Sequence, residues 1–223
     1  MTAPDLPTDI EIAYRDTALL VVRKPAGLLS VPGRGEHLQD CVASRVQALW
    51  PDARVVHRLD MATSGLLVMA RGPDAQRALS RAFEQRDVKK RYVAVVAGQV
   101  DGEAGSISLA LRSDWPNRPR QRVDPELGRP ALTHWWRCPE PSLAVDCSQA
   151  ADRTRLTLEP ITGRTHQLRV HLHALGHPIL GDPLYGTDDS QLMAPRLLLH
   201  ATRIELPHPF DARPMAFEDP APF

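Results

Sequence analysis

The run VHRLDMATSGLLVMAR, from Val56 to Arg71, decides how this chain is read. Its second half contains Leu66 to Ala70 (LLVMA), an unbroken apolar stretch of the length expected for a buried strand. Its first half is polar and leads into a Thr-Ser-Gly turn, so Asp60 stands at a loop edge just before that strand, where function often resides. Taken by itself, an aspartate in this setting pairs with Arg58 or shapes the turn.

Working outward, Leu19 to Lys24 (LLVVRK) reads as a second short buried strand, and the PAGLLSVPGRG that follows has the Gly and Pro content of a loop. On the other side, Pro73 sits where a helix can begin, because its missing N–H costs nothing in the first turn. Ala75, Leu79, Ala82 and Phe83 mark one face of that helix, which stops near Asp87, and Tyr92 to Ala97 (YVAVVA) is a strand rich in β-branched residues. The pattern weakens from Gly98 to about Glu159, with strands expected at Ala131 to Arg137 and Arg155 to Glu159. Thr165 to Leu175 reads as a helix, since Leu168, Leu172 and Leu175 recur at i, i+4 and i+7 and Gly176 follows as a stop. Its opposite face, with His166, Gln167, Arg169 and His173, is polar. Leu197 to Leu206 is a last strand. Strands outnumber helices without regular alternation, which predicts an α+β fold on a mainly antiparallel sheet.

The 223 residues show no compositional break, so a single domain over 1–223 is expected, and 43% hydrophobic residues are enough for a packed core. Cys41, Cys138 and Cys147 form no CxxC pair, which argues against a disulfide scaffold or structural zinc and for a reducing compartment. The N-terminus has no apolar core, and no stretch approaches the roughly 20 apolar residues of a membrane span. A cytoplasmic protein is the expectation. Lys+Arg and Asp+Glu are both 27, so net charge gives no sign of a nucleic-acid partner. Its distribution is more informative: Arg77, Arg81, Arg86, Lys89, Lys90 and Arg91 crowd one segment, and Arg112, Arg118, Arg120, Arg122 and Arg129 another. His166, His171, His173 and His177 invite a metal reading, but the three on the predicted helix stand five and seven apart, without the i, i+4 geometry of HExxH, and no matching Cys or Glu ligand set appears nearby; no metal site is expected. GRG at Gly33 to Gly35 lacks the GxxxxGK[ST] pattern of triphosphate binding.

HRLD followed by TSGLL resembles the catalytic signature of the RluA family of pseudouridine synthases. Other pieces agree, in the family's order. KPAGLLSVPGR (Lys24 to Arg34) is similar to its KPxGL entry segment and KKRYVAVV (Lys89 to Val96) to the strand with its active-site tyrosine; ITGRTHQLRVHLHALGHPILGDPLYG (Ile161 to Gly186) resembles its GRTHQ helix and GDxxYG loop. The resemblance runs from about Tyr14 through nearly the whole chain, and only Cys138 to Thr154 matches nothing, as a variable connection would. It implies a pseudouridine synthase fold, a mixed, mainly antiparallel sheet with helices and loops around a central cleft. There is no room for the N-terminal S4-type RNA-binding domain that several members carry. LLSVPGR, HRLDMATSG, SDWPNRPRQ and MAPRLLLHA are typical of short members that act on both tRNA and 23S rRNA. That implies a structured RNA partner and isomerisation of uridine at position 32 of tRNA anticodon stem-loops and position 746 of 23S rRNA, by a protein expected to be a monomer.

The implied reaction breaks a glycosidic bond, rotates uracil and rejoins it through C5, so no cofactor is called for. The resemblance makes Asp60 the essential carboxylate, which attacks base or sugar covalently or removes the C2′ proton to give a glycal; the sequence leaves these routes open. It makes Arg164 the cation that keeps the carboxylate ionised when a base covers it, and Tyr92 the residue packing on the flipped uracil. Arg58 is placed to enter the vacated base stack, and Leu168 to line the base pocket. His57 and Thr63, on either side of Asp60 in the motif, complete the candidate substrate contacts.

Overall fold

The computed structural model describes residues 9–138 and 152–223, which divide into two units. One holds the chain up to Lys89 together with Arg203–Asp219, and the other holds Lys90–Thr202 with Pro220–Phe223. Most of the unmatched connection, with Cys147, lies outside the described residues.

The first unit begins with β1 (Glu11–Arg15) and β2 (Leu19–Lys24), continues through α1 (Val42–Leu49) and β3 (Ala53–Val55), and then forms β4 (Ser64–Arg71) and α2 (Gly72–Gln85). β2 lies between β1 and β4, and β3 pairs with the last residues of β4, Met69 to Arg71; all these pairings are antiparallel. The two apolar runs of the sequence are thus strand neighbours. Both are buried on both faces, which is why neither alternates. α2 starts with Pro73 in its first turn and ends at Arg86, left-handed at φ 65°, whose N–H returns to Ala82 and Phe83. Ala75, Leu79 and Ala82 pack on Leu19, Val21, Leu66 and Val68. At about 25 cal/mol per Å² of apolar area removed from water, this contact is a main source of the unit's stability.

In the second unit come β5 (Lys89–Ala97), β6 (Ala104–Ser108), β7 (Leu111–Ser113), β8 (Gln121–Val123), β9 (Leu132–Arg137) and β10 (Arg153–Pro160). β10 runs antiparallel to β5 on one side and to β9 on the other, with β6 at the edge of β9. β7 and β8 form a separate two-stranded ribbon. α3 (Gln167–Ala174) and α4 (Asp188–Leu192) follow, and β11 (Leu199–Pro207) leads the chain back to the first unit, where its second half pairs with β12 (Pro214–Glu218).

The strands expected from sequence all form, with boundaries shifted by a few residues. One expectation about α3 needs correction. The helix starts at Gln167 rather than Thr165, because His166 adopts the left-handed conformation (φ 53°) and the residues before it form a turn. On its polar side His173 is exposed and His166 half-buried, but Gln167 and Arg169, and His171 beside them, are buried. Each of the buried three has found internal partners, which is what permits burial. α1 was not anticipated. Cys41 is its N-cap, accepting from Ser44 N–H while Ser44 Oγ accepts from Cys41 N–H, and cysteine is not among the usual cap residues.

Candidate active site

In the first unit, Asp60 occupies the turn that feeds β4. Its backbone carbonyl accepts from Thr63 N–H at 3.1 Å, closing the turn, and its side chain is half-buried. Three other groups hold this segment. Lys24, at the end of β2 and only 2% exposed, donates from Nζ to the carbonyls of Pro25 (2.8 Å), Met61 (2.9 Å) and Thr63 (2.7 Å). Ser30 Oγ donates to Leu59 O at 2.7 Å and accepts from Leu59 N–H at 3.1 Å, gripping the residue before Asp60. Gly27 N–H reaches Met61 O at 2.8 Å, so the KPAGLLS loop and the Asp60 turn are tied at several points. Burial pulls the Lys24 ammonium down to about 7, and the Asp60 charge opposes that shift.

The neighbours of Asp60 divide by role. His57 Nε2 accepts from Val68 N–H at 2.9 Å and its ring stacks on Phe83 at 4.6 Å, which anchors the loop to β4 and α2. Thr63 is buried, contributing its carbonyl to Lys24. Arg58 is exposed.

In the second unit, Tyr92 lies on β5 opposite Leu158 and is half-buried. Arg164 sits in the turn before α3, whose shape Gln167 fixes: Gln167 Oε1 accepts from Arg164 N–H at 3.0 Å and from Thr162 Oγ1 at 2.7 Å, while its Nε2 donates to Leu132 O and Thr133 Oγ1. Arg164 Nε donates to Pro130 O at 3.2 Å. Leu168 is 6% exposed on the first turn of α3. Lys90, two residues before Tyr92 and so on the same face of β5, is held below the usual lysine range by burial.

Three of the four histidines considered for a metal have hydrogen-bonding partners of their own. His171 Nδ1 lies 3.0 Å from Thr133 Oγ1 and its Nε2 3.2 Å from Leu109 O, and burial lowers its pKa against the opposing pull of that carbonyl. His177 Nδ1 lies 2.9 Å from Ala97 O, and His166 Nδ1 2.8 Å from Tyr185 Oη. The first basic segment spans both units: Arg77 and Arg81 are on α2 and Arg86 caps its end, whereas Lys90 and Arg91 are on β5 in the second unit. The second group surrounds the β7–β8 ribbon, where Arg112 and Arg122 share Asp124 and Arg118 lies over the Trp115 ring.

A half-buried carboxylate on a braced turn, with a buried ammonium behind it, has the form of a site for nucleophilic or base chemistry. The comparisons name that chemistry. Residues 18–174 match the model of the RNA pseudouridylate synthase family. The chain is 50% identical over 213 residues to the dual-specificity RNA pseudouridine synthase RluA of Escherichia coli K12, covering 95% of this chain and 93% of that one. The RluA of Haemophilus influenzae is 43% identical over 220 residues, covering 99% and 97%. The chain belongs to the RluA family of RNA pseudouridine synthases. Among solved structures, human RNA pseudouridylate synthase domain containing 1 superposes with a TM-score of 0.77 at 30% identity, over 98% of this chain and 87% of that one.

The family assignment makes the protein an isomerase with the α+β pseudouridine synthase fold. Lys24, Ser30 and Gln167 had no role in the sequence reading, although each lies in a quoted motif. One signal was available for Lys24: it ends the strand LLVVRK, otherwise apolar except for Arg23, directly before a proline. No helix among the described residues is long and apolar enough to cross a membrane.

Proposed function

We propose that this protein isomerises uridine at position 32 of tRNA anticodon stem-loops and at position 746 of 23S rRNA, working in the cytoplasm as a single catalytic domain. The observation that carries the chemistry is the turn of Asp60, held by Lys24 and Ser30 within the motif His-Arg-Leu-Asp. The dual specificity is supported by the likeness to the dual-specificity RNA pseudouridine synthase RluA, 50% identical across almost the full length of both chains.

In this reading Asp60 acts on the sugar or base of a uridine turned out of its stack, and Arg164 supplies the positive charge that keeps the carboxylate ionised as water leaves. Tyr92 packs on the extruded uracil, and Leu168 with Thr63 and His57 shapes the surroundings. Arg58, exposed beside Asp60, fills the gap left in the RNA stack with its guanidinium plane. Arginines of the ribbon and of α2 meet phosphates, which supply much of the affinity in RNA binding.

The test is kcat/KM on a synthetic anticodon stem-loop, on an rRNA hairpin, and on each with its stem opened by mismatches. Both closed stem-loops react nearly as well as the full-length RNAs in this proposal. Modification of one RNA alone would overturn dual specificity, and equal rates on opened stems would overturn recognition of a folded loop.

A further inference from the structure

The Tyr185 hydroxyl joins two parts of the second unit that are distant in sequence. It accepts from the Gln121 N–H at 2.7 Å and lies 2.8 Å from His166 Nδ1. Gln121 opens β8 opposite Ser113, at the loop end of the ribbon, and the connection between these two residues carries Trp115, 69% exposed, with the Arg118 guanidinium over its ring. His166 is the left-handed residue that starts α3, two positions after Arg164. One phenolic oxygen therefore connects an exposed aromatic and arginine-rich surface to the turn bearing the proposed catalytic arginine.

The ring of Tyr185 is built in firmly. It is 7% exposed, the Arg169 guanidinium lies 5.1 Å from its centroid, and Arg169 is paired through two hydrogen bonds (2.8 and 2.7 Å) with Asp182. Asp182 also accepts from the Leu184 and Tyr185 amides. These contacts fix the ring without any help from its hydroxyl, and α3 is separately secured by Gln167 and Arg169. Leu111 and Val123 of the ribbon already pack with Val170 of α3 and the Tyr185 ring, and what the hydroxyl adds to this apolar contact is a directional bond to each segment. A left-handed non-glycine residue is a disfavoured conformation that persists when its surroundings hold it.

We infer that Tyr185 and His166 are positioning residues: RNA docked on the β7–β8 ribbon is sensed through the Gln121–Tyr185–His166 hydrogen bonds, which set the turn of Arg164 for catalysis. The inference rests on the proposed function, because it takes the ribbon's occupant to be a looped RNA whose phosphates meet the arginines and whose unstacked bases meet Trp115. It assigns Tyr185 and His166 to the coupling between binding and chemistry, a role distinct from contact with the reacting uridine.

The experiment compares wild type with Tyr185→Phe, Trp115→Ala and the double variant, using an anticodon stem-loop. Hydrogen exchange of residues 163–167 is measured with and without RNA, alongside single-turnover rates at saturating RNA and the Kd. RNA protects 163–167 in wild type and not in Tyr185→Phe, whose Kd stays within about twofold while its rate falls roughly tenfold, as for a lost hydrogen bond felt in the transition state. In that background Trp115→Ala weakens binding without lowering the rate further. Rate effects that multiply independently, or unchanged protection of 163–167 in Tyr185→Phe, overturn the inference. His166→Asn, which tolerates left-handed backbone and carries an acceptor near the place of Nδ1, retains most of the rate, whereas His166→Leu does not. A wild-type chain that binds RNA without isomerising it overturns the proposed function alone, and the exchange measurement still decides the coupling.

Discussion

Lys24 donates from its ammonium nitrogen to the Thr63 carbonyl at 2.7 Å, so the last side chain of β2 fixes the backbone that starts β4. These strands already pair along their length, with Lys24 opposite Gly65. The side-chain bond extends that pairing around the corner into the Asp60 turn, where the backbone has left the ladder. Methylene groups buried along the way provide packing, and the three carbonyls satisfy the head group.

Lys24→Met is expected to change the pH dependence of stability. The unfolded chain holds this proton up to the ordinary lysine value of 10.5, whereas the folded chain holds it only to about 7. Between those values the unfolded state binds more protons, so wild-type stability rises with pH by up to about 1.4 kcal/mol per unit from this group, and the benefit is lost as pH falls through 7. Urea denaturation at pH 7, 8 and 9 for both proteins should show that slope in wild type only. Parallel profiles would mean that Lys24 keeps an ordinary affinity for its proton.

Asp60→Asn should leave RNA binding within a fewfold of wild type and abolish isomerisation. The change removes a charge and a nucleophile but little volume, and the backbone bond from Thr63 N–H to residue 60 is unaffected. Pseudouridine formation and Kd are to be measured on the same RNA. Activity within tenfold of wild type, about 1.4 kcal/mol of barrier, would remove Asp60 from the catalytic role.

Gly27→Ala and Gly181→Ala form a matched pair, because both glycines have positive φ (88° and 70°) and differ in their surroundings. A methyl at Gly27 meets nothing within 4 Å, so only backbone strain of about 1 kcal/mol is expected. At Gly181 a Cβ would stand 2.0 Å from Arg196 O and 2.5 Å from its carbonyl carbon, and the backbone must move. Thermal unfolding should show Gly181→Ala well below Gly27→Ala; similar losses would indicate that the 181–196 contact yields easily.

Asp182→Asn tests the buried pair with Arg169, whose side chains are 3% and 0% exposed for Arg169 and Asp182 respectively. Burial pushes the Asp182 carboxyl upward, but Arg169 and the Leu184 and Tyr185 amides outweigh it and hold the pKa below the ordinary range. The contribution is present above the unfolded value of 3.8 and is lost as pH falls through the lower folded value. Leaving Arg169 buried without its counter-charge should cost about 3–5 kcal/mol at pH 7. A loss under 1 kcal/mol in chemical denaturation would count against the pair.

The sequence exposed its architecture where residues pattern locally. LLVVRK and LLVMA announced the two central strands of the first unit, and Pro73 announced the start of α2. It hid what depends on partners distant along the chain. The polar residues of α3 were visible but their partners were not, because nothing local reveals that Arg169 meets Asp182, that Gln167 meets Leu132 and Thr133, or that His171 meets Thr133 and Leu109. α1 went unseen because Cys41 replaces a Ser, Thr, Asn or Asp cap. Asp60, Tyr92 and Arg164 came from motif resemblance, which locates residues without their supports; Lys24 and Ser30 needed coordinates to be seen as parts of the Asp60 turn.

His57 is bolted at its Nε2 to the Val68 amide and sandwiched against Phe83, two residues upstream of a turn that Lys24 and Ser30 clamp from the other side. Such a loop resembles an anvil more than a finger: it has been made stiff in advance, during folding. In the proposed reaction, the deformation needed to bring a uridine to Asp60 then falls on the nucleic acid. Selectivity follows from mechanics as well as from contacts. An RNA loop that bends readily into the required shape would be modified, and one with identical letters but a stiffer fold would be passed over.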